Sequence, residues 1–280
     1  MALLLPSLFT GKERDTESGN DYFEARYYSS NMGRFMSPDP IGIMTQKLFD
    51  PQQWNDYAYS KNNPLRFMDP SGMYVTTCKD GDKACAKNAS DFEKSRQRDL
   101  KSKDAAVRGA AGAYGDPGKA NGVTVTWGDP GKGNAGGTVV TGLHGNGDGT
   151  FSAEATVTLR TGQSGAELDA TVGHEGQHVE DADGFAATVT PQGFYDLSKN
   201  LTSFQTEMDA YRITNSILNS NGEQRSYGSC DGGPCTLGVV NPDPTIRKLL
   251  ANPANGYGVT EANQGSRQNP NITTPNPAPQ

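Results

Sequence analysis

The five residues His174-Glu175-Gly176-Gln177-His178 constrain this chain more than any other stretch. Two histidines four apart become neighbours only when the backbone is helical, because four residues make about one turn of an α-helix. They are two of only three histidines in 280 residues. On a helix both imidazoles can reach one ion, the HExxH arrangement of zinc hydrolases. Glu175 is rotated by about 100° from His174, so it is no natural third ligand. It is placed to hold a water beside the ion and act as general base. Leu168, Val172 and Val179 form an apolar stripe offset from the histidines, so one side of the helix can pack while the other faces a cleft. Gly176 costs this helix about 1 kcal/mol against alanine, a cost that close approach by a neighbouring strand or by substrate would explain.

A catalytic zinc takes three protein ligands and keeps one position open. The metzincin scheme puts its third ligand ten residues after the first histidine, beyond an intervening glycine. Gly184 and Asp181 stand at those two positions, which excludes it. The gluzincin scheme takes a glutamate from a later helix. "TSFQTEMDAYRITNSIL" offers Glu207, 29 positions beyond His178 and one helical turn before Tyr211. Tyr211 is then placed to donate to the ion-bound carboxylate or to a developing oxyanion. Asp183 is a rival ligand, and Asp181, seven residues after His174, is a candidate outer partner that orients His178. His144, beside "GNGDG", reads as a turn histidine, with lining the cleft as its alternative.

Strand patterns precede this helix at 122–128, 137–143 and 151–160, the last with Ala153, Ala155, Val157 and Leu159 alternating onto one face. "HGNGDGT" joins the second and third as a hairpin. Helices are expected over 164–183 and 203–219, and a short one over "DPTIRKLLAN", where Asp243 precedes a proline at the first helical position. Residues 89–110 are charged with few strong apolar positions and read as an exposed helix. The "GDPGK" turns at 115–119 and 128–132 lack the first glycine and the Ser/Thr of a phosphate loop. From 253 the chain is polar and rich in Pro and Asn, which predicts an unfolded tail. This order of strands, HExxH helix and glutamate helix resembles the minimal zincin architecture of gluzincins, with Zn²⁺ as cofactor.

The net charge of −7 argues against a nucleic-acid partner, as does the lack of an HNH-like histidine cluster. No apolar run approaches the ~18 residues of a membrane helix, and "MALLLPSLF" lacks the basic flank of a signal peptide, so a soluble chain is expected. The four cysteines fall into two close pairs, Cys78 with Cys85 and Cys230 with Cys235. Two local disulfides and an oxidising destination fit better than a structural zinc site, since neither spacing is C-x2-C, though three pairings are open by count alone.

Ahead of all this, residues 8–73 carry aromatic, strand-favouring runs broken by Asp-Pro turns. "FTGKERDTESGNDYFEARYYSSNMGRFMSPDPIG" and "NDYAYSKNNPLRFMDPSGM" closely resemble the RHS repeat-associated core domain. The resemblance implies a β-shell of repeats around a C-terminal cargo that is commonly a toxin, delivered outside the cell or to its envelope, with an immunity protein as partner. It also implies self-cleavage after the "DPSGM" motif, between Met73 and Tyr74, by Asp39 and Asp69 with Arg34 in support. Shared-proton carboxylates suit that chemistry, while turn capping is the plain alternative for both aspartates. The sequence departs from the family where "IMTQKLFDPQQW" replaces the usual Gly-Gly after "DPIG", and it holds none of the many upstream repeats.

The expected fold is therefore α+β: an RHS-like β-rich segment over 1–75, a linker with an exposed helix over 76–118, a zincin-like domain over 119–252 and a polar tail over 253–280. The expected function is a zinc peptidase acting on a peptide or protein, with the edge of strand 151–160 binding the substrate backbone. The alternative is a non-catalytic shell, encapsulation or interaction protein whose cargo is inactive.

Overall fold

The computed structural model describes residues 13–22, 26–37, 57, 75–76, 83–115, 122–131, 133–146 and 148–269. It mixes helix and strand, as α+β. Near the N-terminus β1 (Glu13–Arg14), β2 (Asp21–Tyr22), β3 (Tyr27–Ser29) and β4 (Arg34–Phe35) form an antiparallel meander. Its charged centre is Asp21, fully buried and held by Arg14 through two bonds of 2.9 and 3.0 Å. Bidentate pairing of this kind compensates the desolvation of a buried carboxylate. Phe35 is buried against Tyr28, with the Arg26 guanidinium 3.6 Å above its ring. Arg34 is exposed on β4, whereas Asp39, Asp69 and Met73 lie outside the described residues.

A second sheet contains β5 (Val75–Thr76), β6 (Val123–Gly128), β7 (Gly136–Gly145) and β8 (Phe151–Arg160) in the order β5-β6-β8-β7. β8 is thus an inner strand, antiparallel to β7 and parallel to β6. This corrects the expectation that 151–160 offers an edge. The hairpin folds β7 back onto one side of β8 while β6 takes the other, so β7 is the outer strand. The inward residues of β8, Ala153, Ala155, Val157 and Leu159, are all buried as their alternation requires.

Helix α3 (Gly165–Ala186) lies across this sheet, with Leu168, Val172 and Val179 packed among Val123, Val125, Val157 and Leu159. Its opposite side meets α4 (Ser203–Ser220), whose Phe204, Met208, Ile213 and Ile217 form a second core with Ala166 and Ala170. A capping box between Thr202 and Gln205 starts α4. Two glycines let the helices close on α3. A side chain at Gly173 would run into Ile213 and Ile217, and one at Gly176 into the Ala110 carbonyl and the Tyr114 ring. The neighbour that requires Gly176 is therefore a helix, not a strand or a substrate.

That helix belongs to the segment expected to be an exposed linker. Residues 83–114 instead form α1 (Lys83–Asp99) and α2 (Ala105–Gly112), which cover α3. Ala89, Phe92, Val107 and Tyr114 are buried, and the Tyr114 hydroxyl donates to the Val172 carbonyl at 2.8 Å. Arg96, 2% exposed, donates to the carbonyls of Ala111 and Gly115, satisfying the C-terminal end of α2. One charged residue thus does what the sparse apolar positions cannot.

The hairpin of β9 (Arg225–Cys230) and β10 (Gly233–Leu237) is stapled by a Cys230–Cys235 disulfide. Cys85 is also disulfide-bonded, and Cys78 lies outside the described residues. Helix α5 (Asp243–Ala251) buries Ile246, Leu249 and Leu250 beneath this hairpin. The predicted tail from 253 is corrected over residues 253–269, which are held by hydrogen bonds and by Tyr257 and Val259 packing against the core of α4 and α5. Ser203 and Phe204, in the first turn of α4, donate their amides to the carbonyls of Ser266 and Gln264 at 2.7 and 3.0 Å. The Asn255 amide group donates to Ser229 and Leu249 carbonyls at 2.9 Å each. No described helix is long and apolar enough to cross a membrane.

Burial of Asp99, then the nearby charge of Asp169, pushes its carboxyl up to about 8 despite Arg98. The folded state then binds this proton more tightly than the unfolded chain, whose Asp titrates near 3.9, so stability falls as pH rises from about 4 to 8. Asp181 and Asp183, raised by burial to about 7 and 6, add slopes of the same sign at lower pH. Asp99→Asn should match the wild type in urea denaturation at pH 4 and exceed it at pH 9, by on the order of 2 kcal/mol. Equal stability at pH 9 would refute the assignment.

Candidate metal centre

α3 brings His174 and His178 onto one face, with ring centroids 5.0 Å apart. α4, closed against it at Gly173, brings Glu207 between them. Glu207 Oε2 stands 3.6 Å from His174 Nε2, and Oε1 stands 3.7 Å from His178 Nε2. One ligand atom from each residue can be chosen so that all lie within 4.8 Å of one another, the only such group among the described residues. Both contacts exceed hydrogen-bond length, and Glu207 Oε2 is buried without a hydrogen-bond partner. The orphaned Oε2 beside His174 Nε2, with Oε1 beside His178 Nε2, makes a donor set that a cation would satisfy. Tetrahedral zinc, with arms of about 2.0–2.1 Å, spaces its ligand atoms by roughly 3.4 Å, and one atom from each of the three residues, all within 4.8 Å of one another, can close to that spacing. The residues fit the ion.

The electrostatics agree with the packing. Burial raises the Glu207 carboxyl, but the charge of His178, the contact with His174 and the Tyr257 hydroxyl outweigh it and hold it below the usual range. Burial lowers both histidines. His178 stays low, whereas the contact with Glu207 and the charge of Glu175 leave His174 raised. His174 Nδ1 lies 3.1 Å from the Thr214 hydroxyl. If Nδ1 carries the hydrogen, Nε2 presents its lone pair to the gap beside Glu207.

Glu175 points elsewhere, to the outer strand. Its Oε2 accepts from the Thr138 hydroxyl at 2.8 Å, and a side chain at Gly136 would collide with its carboxylate. The bare strand is what admits this 3%-exposed acid beside the trio. His174, His178, Glu207, Glu175 and the strand segment 136–138 all line one cleft of about 1030 Å³.

Tyr211 sets its ring 4.7 Å from His174, and its hydroxyl shares a 2.8 Å bond with that of Tyr257. Tyr257 thus fixes the hydroxyl of Tyr211, a role that the composition of its segment concealed. Its one signal was an aromatic between glycines, "GYG". The structure does not bring Asp181 to His178. Asp181 accepts from Gln177 at 2.8 Å and lines a separate cavity of about 470 Å³, while Gln268 donates to the His178 carbonyl at 2.5 Å. Asp183 accepts the Ala153 amide at 2.6 Å, which removes it as a rival ligand. His144 is on β7 opposite Ser152 rather than in the turn, and is not among the cleft residues.

Comparison with known proteins relates a minor part of the chain to toxins. It is 42% identical over 65 residues to the toxin subunit YenC2 of Yersinia entomophaga, covering 23% of this chain and 6% of that protein. It is 37% identical over 70 residues to the toxin protein Tse5 of Pseudomonas aeruginosa (25% and 5%), and 39% over 67 residues to the tRNA nuclease WapA of Bacillus subtilis (24% and 3%). About a quarter of this chain is similar to a short part of each of these proteins. The chain spans only a few per cent of the length of these relatives. Matches of 65–70 residues are also too short to contain the site, which runs from Gly136 to Tyr257. No protein-family model and no solved structure matches the chain.

Proposed function

We propose that this chain is a fragment of an RHS-type polymorphic toxin whose cargo is a zinc-dependent peptidase of gluzincin type. The convergence of His174, His178 and Glu207 around an orphaned carboxylate oxygen supports the reading most directly. These three residues would hold Zn²⁺, which supplies a Lewis acid for the peptide carbonyl and makes water acidic enough to be deprotonated near neutrality. Thr138 holds Oε2 of Glu175, and Oε1, lying against the bare Gly136, would be the atom that takes a proton from a water in the cleft and returns it to the leaving amine. Tyr257 holds the hydroxyl of Tyr211, whose ring packs on His174, and Tyr211 would be the donor for charge developing on the substrate oxygen. Backbone groups of β7, paired on one side only among the described strands, would hold an extended peptide. The zincin likeness is an analogy of architecture. An RHS shell from a longer parent, an immunity protein and export belong to the same reading.

A second reading, nuclease, is favoured by the name of WapA. Metal analysis of chain purified without chelator, followed by digestion of a peptide library, RNA and DNA, separates the readings. One zinc per chain, with peptide cleavage lost to chelator and restored by Zn²⁺, is expected. Zinc-dependent cleavage of RNA or DNA alone would decide for a nuclease, and absence of zinc would leave the inactive-cargo alternative.

A further inference from the structure

At one end of the cleft two guanidiniums compete for one carboxylate. Arg160 closes β8, Arg225 opens β9, and Glu167 sits between them in the first turn of α3. Arg160 Nη2 donates to Glu167 Oε1 at 2.9 Å, while Arg225 Nη1 stands 3.4 Å from Oε2. The remaining contacts, from Arg160 to the Asn134 carbonyl and from Arg225 to Glu223, are also 3.4 Å. Only one of the four is short. A guanidinium is satisfied by a carboxylate through two parallel short bonds, so donors on both arginines stay available. Their side chains are 45% and 38% exposed, and both line the cleft.

The charge of the cleft points the same way. Its walls carry three arginines (160, 225 and 267) against three glutamates (167, 175 and 207). A bound dication tips that balance positive, in a chain whose net charge is −7. A cationic cleft on an acidic protein draws anionic groups inward and repels cationic ones. The arginines are also in register with the proposed chemistry. Asn134, which Arg160 touches, is two residues along the chain from Gly136, which abuts Glu175.

We propose that Arg160 and Arg225 form a carboxylate-binding subsite, so that the cleft selects peptides bearing an acidic group a few residues from the scissile bond. The inference rests on the peptidase reading, and the carboxylate can belong to an acidic side chain or to a free C-terminus. The test is binding, independent of turnover, on the full chain loaded with zinc and carrying Glu175→Gln. Fluorescence anisotropy compares labelled peptides that differ only as Glu against Gln, each with a free or an amidated C-terminus. A Glu peptide or a free C-terminus should bind at least about tenfold tighter than its neutral counterpart. Which of the two does so identifies the source. The ratio should fall to within about twofold in Arg160→Gln/Arg225→Gln, with zinc content unchanged as the check on folding. Equal affinity of charged and neutral peptides would overturn the subsite. So would an oligonucleotide that displaces the peptide by way of these arginines, since it would make them a phosphate site. Wild-type hydrolysis is scored separately: cleavage without charge preference sinks the subsite alone, and selective binding without cleavage sinks the peptidase reading alone.

Discussion

Glu175→Gln should bind zinc as the wild type does yet hydrolyse peptide at about one-thousandth of the rate or less, within the range for loss of a general base. The substitution is close to isosteric, and the amide oxygen can still accept from Thr138, so the side chain keeps its place over Gly136. What is lost is the basic oxygen. Burying a neutral amide also costs less than burying the carboxylate, so the variant should melt no lower than the wild type. kcat should fall with KM little changed, because the acid acts in the transition state rather than in binding. Zinc content by mass spectrometry beside steady-state kinetics reads both halves. Activity within tenfold of wild type would remove Glu175 as base, and loss of zinc would place it among the ligands.

Much of this site was legible because its logic is local. HExxH needs only helical periodicity to become a half-site, and the apolar stripe 168/172/179 already oriented the helix towards a sheet. Strands β6 to β8 announced themselves by alternation, and α4 by its apolar spacing with Glu207 on the free face. What was hidden depends on distant partners. The burial of α1 rests on Arg96 reaching carbonyls 15 and 19 residues away, which turns a charge run into core. Residues 253–269 are polar and would not order alone. They order because α4 offers unsatisfied amides at its start, Gln268 adds a bond to the His178 carbonyl, and Tyr257 and Val259 pack on the core. Strand order was also beyond local reading, since whether 151–160 is inner or outer depends on which side β6 takes.

Glu207→Ala should weaken zinc binding by on the order of 10²–10³-fold, beyond the 10–100-fold typical of losing only an outer partner. Two imidazoles remain, held by α3, but the third donor and the negative charge that offsets a buried dication are gone. A hundredfold rise in Kd removes about 2.7 kcal/mol of zinc-linked stability at fixed free zinc, so the zinc-induced rise in melting temperature should largely vanish. The apo protein gives the sharper discrimination. Glu207 Oε2 has no hydrogen-bond partner there, and its imidazole contacts are 3.6 and 3.7 Å, longer than a hydrogen bond. Removing the carboxylate from the metal-free protein gives up only the modest stabilisation that its lowered pKa implies, so the apo melting temperature should fall slightly while the zinc-induced rise is lost. If Glu207 were only a structural partner of the two histidines, the apo variant would melt well below the wild type and added zinc would shift neither. Competition titration with a zinc-sensitive dye, run beside calorimetry of apo and zinc-loaded forms, distinguishes the two. Unchanged zinc affinity in the variant would remove Glu207 from the ligand set and leave the two histidines without a third protein ligand among the described residues.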